Sequence, residues 1–223
     1  MRTISSAKTG LVLFSVLFVL LGIISGKHLI AALSSKPVAL DNIELIPEPK
    51  PLPIVLLRDA KGDAFPRENF LGTWSLVFFG FTSCPDFCPM ELQKLGKLIK
   101  LGEQNDHAIK VVFVSVDPER DSAEKLAQYV AFFHPGIIGL RGDNPAVASF
   151  ARFFGAAYDR SAIIDGKVIM IPAGTAMPAT IGDQYLVNHS TRVFVVDPQG
   201  QYIGSIINSD SPEIIWADLS KLF

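Results

Sequence analysis

From Trp74 onward the chain alternates unbroken apolar runs with stretches whose apolar residues recur at helical spacing. "WSLVFFGF" (74–81) and "KVVFVSVD" (110–117) are β-branched and aromatic with little alternation, the pattern of strands buried on both faces. Between them, "MELQKLGKLIKLG" sets Leu92, Leu95, Leu98 and Ile99 on one helical face. "DSAEKLAQYVAFF" opens with Asp121 and Glu124 in capping-box positions and predicts a helix to Phe133. "IIGLRG" (137–142) predicts the next strand. "NPAVASFARFFG" predicts the next helix, with Asn144 as cap, Pro145 at the first helical position and Gly155 as stop. After residue 156 the order changes: "TRVFVVDPQGQYIGSII" predicts two strands joined around Asp197 to Gly200, and Ser211 with Pro212 opens a last helix. Parallel βα units followed by a hairpin and a closing helix predict an α/β, thioredoxin-like sandwich with a central sheet and additions.

The N-terminal part reads differently. Thr9 to Gly26 is an uncharged run of 18 residues between Lys8 and Lys27, which meets the lower limit for a transmembrane helix. A cleaved signal peptide is the rival, with small residues in "AALSS" (31–35), but the run exceeds the about 7 to 15 apolar residues of such a segment. An uncleaved anchor is therefore expected. "IPEPKPLP" (46–53) has proline at 47, 49, 51 and 53, a spacing that favours stiff extended backbone and reads as a spacer. The expected division is an anchor over 1–36, a Pro-rich linker over 37–53 and a folded domain over 54–223.

With 223 residues, 49% of them apolar, the chain has ample material for one core. Arg2 and Lys8 precede the apolar run, so the positive-inside rule places the short N-terminus in the cytoplasm and the domain outside. The first residues lack the Arg-rich, amphipathic character of a transit peptide. A single pass through a bacterial inner membrane with a periplasmic domain is thus favoured, the alternative being a mitochondrial inner membrane and its intermembrane space. Residues 37–223 carry 16 Lys and Arg against 22 Asp and Glu, and nothing in that balance points to nucleic acid.

Two cysteines, Cys84 and Cys88, lie in "FTSCPDFCPM" (81–90), behind the first central strand and at the mouth of a helix. Free backbone N–H groups there favour thiolate over thiol, and Pro89 fits the first helical turn, leaving Cys84 on the loop. Three readings stand side by side. A disulfide staple would close a very short loop and gain little in the chain-entropy model. A redox pair would normally be C-x-x-C, one residue shorter than this C-x-x-x-C. A metal site uses the extra room, and two soft thiolates suit copper: zinc normally takes four protein ligands, and an iron–sulfur cluster needs more cysteines than the chain has.

A third ligand is then expected from the four histidines. His28 abuts the apolar run, His107 lies in the polar "EQNDHA" loop, and His134 precedes Pro135 at a helix end. His189, in "YLVNHSTRVFVVDP", stands before a strand expected to pair near the first, where a thioredoxin-like fold lays it against the cysteine loop. Met90 is read as a core or surface residue. Asp86 and Asp117 are candidates to orient a ligand, against the plainer roles of turn former and strand-end acid.

The stretches "FLGTWSLVFFGFTSCPDFCPMEL", "SVDPERDSAEKLAQYV" and "YLVNHSTRVFVVDPQGQYIG" resemble the Sco/SenC proteins, thioredoxin-fold copper chaperones for cytochrome c oxidase assembly. The likeness covers most of 54–223. It implies metal ligation by Cys84, Cys88 and His189, an N-terminal membrane anchor, and an oxidase subunit carrying the dicopper centre as partner. It also implies a periplasmic thiol reductant or copper donor. One segment departs from the pattern: residues 161–184, longer than the short hairpin expected there, read as an extended hairpin over the site. The competing enzyme reading is a thiol-disulfide oxidoreductase in which Cys84 and Cys88 form a redox-active pair, with a possible disulfide, that keeps the oxidase's copper-site cysteines reduced.

Overall fold

The computed structural model describes residues 39–207 and 211–223. The expected membrane segment lies outside these residues, and among the described ones no helix is long and apolar enough to cross a membrane. The chain runs β1 (Ile43–Pro51), β2 (Arg58–Asp59), a 3-10 turn (Arg67–Phe70), β3 (Trp74–Gly80), α1 (Phe87–Gln104), β4 (Ile109–Ser115), α2 (Ala123–Phe133), β5 (Ile137–Arg141) and α3 (Asn144–Phe154). It continues with β6 (Tyr158–Ile164), β7 (Lys167–Pro172), β8 (Tyr185–His189), β9 (Val193–Val196), β10 (Gln201–Ile206) and α4 (Pro212–Leu219).

Seven strands form one sheet in the order β1-β10-β9-β3-β4-β5-β2. The three central strands β3, β4 and β5 are parallel, as the βα pattern predicts, and β9 pairs antiparallel with β3. Side chains alternate across a strand, so each central strand feeds two cores. Leu76, Phe78, Val111, Phe113, Val193 and Val195 pack under α1, α2 and α4. Val77, Phe79, Val112, Val114, Phe194 and Val196 pack under α3 and Tyr202. Burial on both faces explains why these strands read as continuous apolar runs.

Several boundaries differ from the sequence reading for identifiable reasons. α2 is capped by Ser122, whose side chain accepts from the Lys125 N–H, rather than by Asp121. Asp121 is turned inward to other donors. α3 is capped by Asp143, one residue before Asn144, while Gly155 ends it in the left-handed conformation with φ of 74°. The stretch read as a free spacer is extended, but Ile43–Pro51 pairs antiparallel with β10 and forms the edge of the sheet. Prolines are tolerated there because an edge strand leaves N–H positions facing solvent. The irregular register between Leu45 and Lys50 spans Pro47 and Pro49.

Residues 158–189 form a second sheet, in the order β7-β6-β8. Asp165 and Gly166 have φ of 50° and 74°, the two-residue positive-φ turn that an Asp-Gly pair favours. The expected extended hairpin is therefore present, with a third strand added that ends at His189.

Phe79 is 1% exposed and its ring meets those of Phe150, Phe154 and Phe194 within 5.9 Å. Phe79→Ala is expected to lower unfolding free energy by about 3 to 5 kcal/mol. Urea denaturation should show the midpoint falling with the slope unchanged.

Candidate metal centre

The site is assembled at the C-terminal edge of the central sheet. β3 ends at Gly80, and the chain turns through Phe81–Cys84, where the Cys84 N–H donates to the Phe81 carbonyl at 3.2 Å. α1 then starts at Phe87, so Cys84 lies on the loop and Cys88 in the first helical turn with Pro89. Gly80 is what lets the second cysteine in. A Cβ at that position would lie 2.7 Å from Cys88 Sγ and 2.7 Å from the Phe113 ring.

His189 arrives from the other sheet, as the last residue of β8 opposite Tyr158. Its ring meets Phe78 and Phe81 edge-on, with centroids 6.1 Å and 5.7 Å away. Nδ1 lies 2.8 Å from the Ser190 carbonyl, an acceptor only, so Nδ1 carries the proton in the neutral ring and donates. That leaves the Nε2 lone pair free, and it faces Cys88 Sγ at 3.3 Å. Cys84, Cys88 and His189 place one ligand atom each within 4.8 Å of one another.

Burial sets the protonation. Cys88 has no solvent exposure, and both cysteines are free. Desolvation pushes the Cys88 thiol far above the usual thiol range, with the neighbouring Cys84 adding to the rise. The helix N-terminus expected to favour thiolate is outweighed. Burial also pushes His189 down, so its imidazole is neutral near pH 7. In the metal-free site the Cys88 S–H thus donates to a neutral Nε2, and a cation must displace that proton to bind.

The other sequence candidates lie elsewhere. His107 stacks on Phe223 at 4.6 Å, the His134 Nδ1 accepts from the Gly136 N–H at 3.0 Å, and Met90 is 61% exposed. His28 lies outside the described residues. Asp86 is the residue before α1 and makes no side-chain cap bond. Asp117 is fully buried, accepting from the Tyr185 hydroxyl and, at 2.5 Å, from Arg120 Nε. Burial raises its pKa while these two donors oppose the rise.

Sequence reasoning missed how much the loop 117–121 does. Asp121 accepts from the Thr82 N–H at 3.0 Å and from the Ser115 hydroxyl at 2.6 Å, tying the start of the cysteine loop to β4. Glu119 pairs with Arg160 at 2.9 Å and accepts from Asn144 and the Met177 N–H, fastening the second sheet. Three acids and one arginine in "DPERD" next to a buried strand were the available signal.

Fold and site together define a thioredoxin-like protein with a partly buried two-cysteine, one-histidine cluster of soft and borderline donors. The family model for SCO1/SenC matches residues 56–223, and the chain belongs to that family. It is 34% identical over 161 residues to the mitochondrial SCO2 homolog of Homo sapiens, covering 71% of this chain and 54% of that protein. The chain spans about half the length of the curated relatives it matches. The crystal structure of Arabidopsis thaliana ScoI with copper bound is similar at TM-score 0.61 and 30% identity, covering 78% of this chain and 95% of that one. Yeast Sco1 with copper bound is similar at TM-score 0.64 and 29% identity, with coverage of 78% and 88%.

A direct consequence concerns the metal-free thiols. Each unit of upward pKa shift lowers the thiolate fraction about tenfold. In reduced, metal-free protein at pH 7, iodoacetamide should label Cys84 at least ~10-fold faster than Cys88, as followed by peptide mass spectrometry.

Proposed function

We propose that this chain is a membrane-anchored copper chaperone, holding copper through Cys84, Cys88 and His189 and passing it by ligand exchange to the dicopper centre of cytochrome c oxidase. The observation that carries this reading is the donor set: two sulfurs and one bare imidazole nitrogen within 4.8 Å, with no carboxylate in the group. Two thiolates and an imidazole select soft and borderline metals over calcium or magnesium, and three protein ligands fall short of the four of a structural zinc site. Sco-family proteins with copper bound, similar in fold, support copper among the remaining choices. The Sco family is one of cytochrome c oxidase assembly proteins, which supports the oxidase as the acceptor.

Incomplete coordination suits delivery, because an incoming thiolate or imidazole can enter before the first ligand leaves. The anchor over 1–36 would hold the domain at a membrane, with the site on the outer face. The N-terminal composition supports a bacterial inner membrane and periplasm, and the mitochondrial relative supports an inner mitochondrial membrane facing the intermembrane space. A periplasmic thiol reductant or a copper donor completes the set of partners.

The second reading, thiol-disulfide exchange, rests on the same two sulfurs. The pair would give two electrons to a disulfide of the oxidase, becoming a Cys84–Cys88 disulfide, and a thiol reductant would restore it. The raised Cys88 pKa weighs against it as the attacking group, since thiolate is the nucleophile. Catalytic reduction of an oxidase-peptide disulfide in the presence of excess dithiol would support this activity, and no turnover would leave delivery alone.

The copper reading is tested with the full chain in detergent, reduced and then titrated with Cu(II). A thiolate-to-copper charge-transfer band should appear in the wild type and be lost in Cys84→Ala and Cys88→Ala. Outer partners of a metal ligand alone are worth roughly 10- to 100-fold in affinity, so His189→Ala should weaken binding at least that much. Unchanged affinity in His189→Ala would remove it from the site. Because Cys88 still holds its proton near neutrality, affinity should rise with pH, about tenfold per unit for the Cys88 proton released, through the neutral and mildly alkaline range. His189, pushed down, adds proton competition only in acid.

A further inference from the structure

Arg120 makes no hydrogen bond to either cysteine, yet it joins the two halves of the site. Its Nη1 donates to the carbonyls of Asp183, two residues before the strand that ends at His189, and of Tyr185, the first residue of that strand, both at 3.1 Å. Its guanidinium lies over the Tyr185 ring at 3.8 Å from the centroid, and 5.8 Å from that of Phe81, the residue that opens the cysteine loop. Nε donates to Asp117, which also holds the Tyr185 hydroxyl. The Phe81 ring in turn lies edge-on to His189. One planar cation is therefore set between the first residue of β8 and the aromatic ring that abuts the imidazole.

β8 needs such a fastening. It is an edge strand of the small sheet, bonded along one side to β6 only. Its position relative to β3 and α1 is set by the packing of Val187 and His189 and by side-chain hydrogen bonds from the main sheet's loops. Arg120 supplies two bonds directed at main-chain oxygens, one just before β8 and one on its first residue, so they locate the backbone where β8 begins. The fork geometry and the flat face are specific to arginine, since a lysine ammonium can neither stack on Tyr185 in the same way nor present fixed paired donors.

We propose that Arg120 is a positioning residue for His189, setting the distance between the imidazole and the cysteine loop by clamping the start of β8. The inference rests on the copper reading only for its affinity arm. Its structural arm can be read without metal, because the His189 ring protons carry ring-current shifts from Phe78 and Phe81 that change when the imidazole moves.

The test compares wild type, Arg120→Lys, His189→Ala and the double variant as full-length, detergent-solubilised chains with labelled histidine. His189 resonances are identified by their loss in His189→Ala. In the reduced, metal-free protein Arg120→Lys should shift them while leaving those of His107 and His134 in place. Copper affinity should fall roughly 10- to 100-fold in Arg120→Lys, the range for residues that orient a ligand, with no further fall when His189→Ala is already present. A purely structural role would give the same loss in both backgrounds. Unmoved His189 resonances, or additive losses, would overturn the proposal. A wild type that binds no copper would sink the copper reading instead, and the resonances alone would then decide Arg120. Should Arg120→Lys fail to fold, Tyr185→Phe removes only the hydroxyl that shares Asp117 with Arg120, and the His189 resonances are expected to move from their wild-type positions while those of His107 and His134 stay. No shift there would also count against the clamp.

Discussion

Cys88 and His189 are 101 residues apart in the chain, and the fold brings their Sγ and Nε2 to 3.3 Å, with Cys88 fully buried and His189 half-buried. Most of the architecture around the site follows from that approach. The antiparallel pairing of β9 with β3 returns the chain beside the cysteine loop. Gly80 leaves room for the sulfur, and Phe78 and Phe81 hold the imidazole edge-on. The Ser190 carbonyl accepts from the Nδ1–H and so turns the Nε2 lone pair inward. The burial of Cys88 also keeps its thiol protonated, so metal entry and proton release are one event.

The central βα units were legible because their signals are local. Apolar runs buried on both faces, a left-handed Gly155 after α3 and Ser211 before α4 each act within a few residues. The cysteines and His189 were legible through their chemistry and the family resemblance. What escaped was long-range pairing. β1 looks like a proline spacer until a partner strand, β10, is supplied from the other end of the chain. Asp121 fits a capping box locally, but a buried hydroxyl and a loop N–H across the sheet compete for it and win.

Charge burial in the loop 117–121 shows the same principle from the energetic side. Asp117 and Asp121 have no solvent exposure, and Arg160, also at zero, faces Glu119. Buried charges of this kind are tolerated only when paired and hydrogen-bonded, and the partners here are Arg120 in the same loop, Ser115 on β4, Thr82 in the cysteine loop and Arg160 on β6. One short loop thereby fixes the cysteine turn through Thr82 and the second sheet through Arg160 and Arg120. The extension over 161–184 is thus part of the site's support, because β7 and the end of β6 share a sheet with the strand that carries His189.

The most direct measurement is copper X-ray absorption on the loaded, reduced chain, compared with His189→Ala. The account predicts two sulfur scatterers and one imidazole bound to copper in the wild type, with the imidazole lost in the variant. A sulfur-only shell in the wild type, or an imidazole signal that survives His189→Ala, would contradict it.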